Sequence, residues 1–140
     1  MRYRPGLLFA ASVAFLAIPA MAEEEDSTKP HEIVDIEMPV IIAPMVVNGR
    51  LEHYAYITIT LTPSSAGHIF DVRSRVPYLQ DAFLREVNRA SIVKASDHNA
   101  VDTEALKARL MARMKGILPP DAVSAFKFEK IVVAPMRPEG

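Results

Sequence analysis

The sequence predicts an α+β domain. Its small antiparallel sheet is made of a β-hairpin plus a C-terminal strand, with two helices packed on one face, in the order β-β-α-α-β. Three observations carry this reading. An apolar run before Asn48-Gly49 is followed by an alternating stretch, two later stretches repeat apolar residues at helical spacing, and an apolar run follows them near the C-terminus.

The hairpin comes first. Pro39 to Val47 is apolar and rich in β-branched residues. Asn48-Gly49 is the pair preferred in type I′ turns, where both central residues need positive φ. From Leu51 to Leu61 the chain alternates, with Ala55, Ile57, Ile59 and Leu61 on one side and Tyr54, Tyr56, Thr58 and Thr60 on the other. One face is therefore core and the other half-polar. Pro44 has no amide to give a ladder, so the first strand lies at an edge or carries a bulge. Thr62-Pro63-Ser64-Ser65 ends the second strand and offers caps for a helix.

Ile69, Val72, Val76, Leu79, Phe83 and Val87 form the stripe of the first helix, flanked by Asp71 with Arg75 and Asp81 with Arg85 at i, i+4. Pro77 within it either kinks one helix or starts a second. Ala90 to Val101 is polar and reads as a loop. Asp102 is the expected N-cap of the second helix, whose stripe is Leu106, Leu110, Met114 and Ile117. Gly116 and Pro119-Pro120 stop it. Val123 to Ala134 is the last strand, with a bulge expected between Phe128 and Ile131, where alternation shifts phase.

The N-terminal residues read as an export signal. Arg2 and Arg4 precede an uncharged run, Pro19 breaks it, and Ala20-Met21-Ala22 places small residues before a cut ahead of Glu23. An uncleaved short anchor is the alternative, favoured by the positive flank. The organisation is thus a signal peptide or short anchor over residues 1–22, a flexible acidic lead-in over 23–38, the folded domain over 39–135 and a tail over 136–140. The expected location is the periplasm, with any inner-membrane association indirect.

Composition narrows the chemistry. The chain has 16 basic and 17 acidic residues; without Arg2 and Arg4 the balance is 14 to 17, about −3. No strong positive field argues for a nucleic-acid partner. The absence of cysteine excludes disulfides, thiolate catalysis and cysteine-ligated metals. His31, His53, His68 and His98 are scattered over the lead-in, the hairpin, a helix start and a loop, and no i+3 or i+4 ligand-type partner within a helix is expected for any of them. His53 continues the apolar alternation of its strand and is expected at the rim. No serine sits in a nucleophile elbow, no glycine-rich phosphate loop exists, and no carboxylate pair is set up for acid–base work. Asp97-His98-Asn99 reads as an exposed loop tip, Lys107, Arg109, Arg113 and Lys115 as a solvated helix face, and Met111 and Met114 as core fillers. The reading is a non-enzymatic protein without cofactor or metal. Tyr54 and Tyr56, opposite the core face, either pack under the lead-in or belong to an interface.

Three stretches resemble the periplasmic domain of the flagellar basal-body-associated FliL family. "PVIIAPMVVNGRLEHYAYITITL" is similar to the family's opening hairpin. "VRSRVPYLQDAFLREVNRAS" is similar to its long helix, and "VDTEALKARLMARMKGILPPDAVSAFKFEKIVVAP" to its second helix and closing strand. Together they cover Pro39 to Pro135. The resemblance implies a stomatin-like (SPFH-like) fold and self-association, and it implies contacts with flagellar stator or basal-body proteins that support motility. The residues assigned to such contacts are Val40, Ile42, Tyr54 and Tyr56 of the hairpin and Arg73, Arg85 and Arg89 of the helix. Family members keep a transmembrane helix, whereas here a cleavage pattern follows the apolar run, so attachment is expected through protein contacts. The alternative function is an exported interaction or ligand-binding module unrelated to motility.

Overall fold

The structure is a computed structural model that describes residues 32–136. The leader, including Ala20, Ala22 and Glu23, lies outside these residues, as does His31. The elements are β1 (Ile36–Glu37), β2 (Ile41–Val47), β3 (Arg50–Pro63), α1 (Ile69–Arg89), β4 (Val93–Lys94), β5 (Asp97–Val101), α2 (Thr103–Lys115) and β6 (Val123–Pro135). No helix among the described residues is long and apolar enough to cross a membrane.

β3 is the centre of the sheet. β2 and β1 follow one another along one of its edges and β6 runs along the other, all antiparallel. Asn48 and Gly49 turn β2 into β3 with φ of 51° and 77°. Gly49 takes the left-handed value without the Cβ penalty other residues meet there. Two irregularities preserve the inward face. Glu52 is an extra residue of β3 opposite the Met45–Val46 step, and its carbonyl accepts the Met136 amide at 3.1 Å. Glu129 is an extra residue of β6, because Thr58 pairs with Lys130 while Ile59 pairs with Phe128. This is the bulge expected from the phase shift: without it, Ile131 and Val133 would point away from the core that Phe126 enters.

Both helices pack on the inner face of the sheet. Val72, Leu79, Phe83 and Val87 of α1 and Leu106, Leu110 and Met114 of α2 are buried with Ile41, Ala43, Met45, Ala55, Ile57, Ile59 and Leu61 of the strands. Phe83 meets Phe126 edge-on at 6.1 Å, and Phe126 meets Phe128 the same way at 5.4 Å, so an aromatic row ties α1 to β6. Asp102 caps α2 by accepting the Ala105 amide at 3.2 Å. Asp121, at φ 57°, completes the Pro119–Ala122 turn, in which the Ala122 amide donates to Pro119 O at 3.2 Å. Proline at the second position and a left-handed third residue are the pattern of a type II turn.

Several sequence expectations need correction. The lead-in does not extend to residue 38: Ile36 and Glu37 pair with Leu61 and Thr60, Met38 donates its amide to Ile59 O at 2.8 Å, and Ile36 and Met38 are buried. Their apolar side chains complete the core at the far end of β3, and Thr62 Oγ1 holds the entry by donating to Asp35 at 2.7 Å. The serines after β3 do not cap α1. Ser64 Oγ donates to the carbonyl of Asp121, and a 3-10 turn over Ala66–His68 leads into the helix instead. Pro77 lies inside one continuous α1, on its exposed side, so the two-helix alternative does not hold. Ala90 to Val101 is not an unstructured loop. β4 and β5 form a small ribbon there, with Lys94 opposite Asp97, anchored by buried Ile92 and Val101.

Candidate functional site

The three strands present two surfaces with different fates. On the outer face, Ile42 pairs with Tyr56 and Tyr56 with Val132, giving one cross-strand row. Pro44, Tyr54 and Ala134 make the next row toward the hairpin turn. Val40, just before β2, and Val46 within it flank these rows. These large apolar side chains are well exposed: Tyr54 36%, Tyr56 40%, Ile42 48% and Val40 51%. The other end of the same face is polar, since Thr58 pairs with Lys130, Thr60 with Lys127 and Glu37, and Thr62 with Ala125. The apolar rows therefore form a patch with a polar boundary, the form expected of a contact surface.

The structure brings Val40, Ile42, Tyr54 and Tyr56 together on this face. It does not bring Arg73, Arg85 and Arg89 to them, because α1 packs on the opposite side of the sheet. Arg73 lines a groove with Glu32, Ile69 and Phe70 at the start of α1. Arg85 pairs with Asp81 at 3.1 Å on the exposed helix surface. Arg89 belongs to a cluster that the sequence reading missed.

That cluster is centred on Glu86, which is only 3% exposed at its side chain. Arg89 reaches it from the next turn of α1 as a two-pronged fork. From α2, Arg109 Nε donates to Oε1 and Arg113 Nε to Oε2, each at 3.0 Å. The guanidinium of Arg109 also donates to the carbonyls of Glu86, Ala90 and Ser91 at 2.7, 3.2 and 3.0 Å. Those acceptors belong to the last turn of α1 and the residues after it. α1 ends at Ala90 in extended backbone without a C-terminal glycine, so a side chain from α2 satisfies its orphan carbonyls. The hydrogen bonds from Arg89 hold the Glu86 carboxyl well below the usual carboxylate range; burial opposes this, and Arg109 and Arg113 reinforce it. Arg109 is therefore not a member of a solvated face, as the charge pattern of α2 suggested, whereas Arg113 stays half-exposed and turns its Nε to Glu86. Their spacing of four residues, opposite a lone glutamate in the apolar stripe of α1, is the signal that could have revealed them.

The remaining candidates stay apart. His53 is half-buried at the rim of β3, His68 sits just before α1 with Nδ1 3.5 Å from Asp71, and His98 is exposed in β5. Met114 is buried, and Met111 packs against the core while lining a cavity of about 330 Å³ with Leu118, Pro120 and Val123. No protein-family model matches this chain, and no curated protein matches it.

Proposed function

We propose that this chain is a non-enzymatic, FliL-like accessory protein of the bacterial envelope. In this reading it is exported to the periplasm and acts through self-association and protein contacts that support the flagellar motor or its stator. The observation that carries the contact role is the exposed pair of apolar rows through Tyr54 and Tyr56 on the outer face of the sheet. Burying such a patch against a partner removes apolar area from water at about 25 cal/mol per Å². The flagellar assignment rests on the resemblance of Pro39 to Pro135 to the family, and export rests on Ala20-Met21-Ala22.

Deleting the gene tests the assignment. The expected outcome is reduced spreading in soft agar or on surfaces, restored by the intact gene and not by a copy carrying Tyr54→Ser and Tyr56→Ser. Normal motility in the deletion strain would remove the flagellar role and leave the alternative of an exported interaction or ligand-binding module. Fractionation with N-terminal sequencing checks the location: a periplasmic product beginning at Glu23 is expected.

A further inference from the structure

The Glu86 cluster carries more positive charge than its carboxylate can neutralise. Three guanidiniums, from Arg89, Arg109 and Arg113, surround one carboxylate. Arg85, beside them, is matched by Asp81. The local balance is thus two positive charges, in a chain whose formal net charge is −1. Holding two helices together does not require that excess. A buried carboxylate needs one well-placed counter-charge, and each further guanidinium repels the first.

The donors show where the excess points. Arg109 is largely covered and directs its hydrogen bonds to Glu86 and three carbonyls. Arg113 directs only Nε inward, and among the described residues neither terminal nitrogen of its guanidinium has an acceptor. Arg89 uses Nε and Nη2, and Nη1 has no acceptor among the described residues. The two side chains are 52% and 57% exposed. Both arginines line a groove between α1 and α2 of about 620 Å³, whose walls include Tyr78, Ala82, Gly116 and Ile117 and the Asp81–Arg85 pair, which is neutral as a unit. Glu86 fixes both guanidiniums from behind, so little side-chain freedom remains to be lost when an anion arrives.

We infer that this groove is a binding site for the carboxylates of an acidic peptide segment, with Arg89 and Arg113 as the contacting residues and Glu86 and Arg109 as positioning residues. Planar guanidiniums match carboxylates in a two-pronged geometry. A groove of this volume, with Tyr78, Ala82 and Ile117 beside the charges, suits a peptide rather than a small free ion. The site lies on the helical side of the domain, so the inference stands or falls independently of the sheet face.

The test titrates the purified full chain into a fluorescein-labelled peptide of four glutamates and into its four-glutamine counterpart. The glutamate peptide is expected to bind, with affinity falling as salt is added, and the glutamine peptide is not. Arg89→Gln and Arg113→Gln should each weaken binding about tenfold or more. Arg113→Lys should weaken it less, because lysine keeps the charge and loses the fork. Amide shifts in the unaltered protein provide a readout that survives any misfolding of variants: changes at Tyr78, Arg113 and Ile117 support the site. The inference is overturned by no binding, by equal binding of both peptides, or by shifts confined to other elements. Inorganic phosphate binding at those amides as tightly as the peptide would also overturn it, in favour of a simple anion site.

Discussion

Tyr56 and Ile57 are neighbours in β3 and lead opposite lives. Ile57 is fully buried beneath the helices, while Tyr56 stands 40% exposed in an apolar row on the other side. Strand geometry alone sends successive side chains to opposite faces. It does not say which face is covered. Covering requires apolar surface from elsewhere, and α1 and α2 each bring one buried stripe, both directed to the inner face. The outer apolar rows are covered by no helix among the described residues. The comparison teaches that hydrophobicity in this sheet is not spent on folding alone: the inner face is packed, and the outer face keeps apolar rows that the proposed contact role would use.

The strongest way to break this comparison is Ile57→Ala. It should lower unfolding free energy by about 2–5 kcal/mol, seen as a lower urea midpoint with unchanged slope. A loss no larger than that of an exposed residue would mean that the inner face is not the packed one.

Glu86→Gln comes next. At neutral pH it should cost about 1–3 kcal/mol, kept below the full value for a broken buried pair because Arg89 and Arg113 are half-exposed and screened by solvent. The sign of its pH dependence is defined. The folded-state pKa of Glu86 is depressed from an ordinary 4.5, so its contribution is complete above that value and shrinks as pH falls below it. The stability gap between the unaltered protein and the variant should therefore narrow below about pH 4.5. A gap that widened in acid would rule out the charged cluster as the source.

The smallest expected effect on folding comes from Tyr56→Ser. Loss of one exposed cross-strand contact should cost less than about 1 kcal/mol. The same change should reduce self-association in sedimentation velocity, which Ile57→Ala, in so far as it stays folded, should leave intact. Unchanged association in the double variant Tyr54→Ser, Tyr56→Ser would take the outer face out of the contact.

Much of the fold was legible because it rests on local periodicity. The hairpin at Asn48-Gly49, the stripe from Val72 to Val87, the Asp102 cap and the bulge before Ile131 all follow from spacing and turn chemistry within a few residues. What escaped the reading depends on distant partners. Ile36 and Met38 looked like the end of a polar lead-in, because two apolar residues among charges have no period of their own; the far end of β3 recruits them. The β4–β5 ribbon is two short strands whose register no alternation announces. On the candidate surfaces, Tyr54, Tyr56, Ile42 and Val40 share a face because their parity is readable, whereas Arg89 joins Arg109 and Arg113 only because α1 and α2 lie side by side.

By itself, the sequence determined the order of the elements, the hairpin turn and the inward parity of each strand, because these follow from φ preferences and side-chain periods over short range. Only the tertiary structure decided which outward side chains meet across the strands, and only it gathered three arginines around Glu86. Both outcomes depend on contacts between segments separated along the chain, β6 beside β3 and α2 beside α1, and no local pattern encodes them.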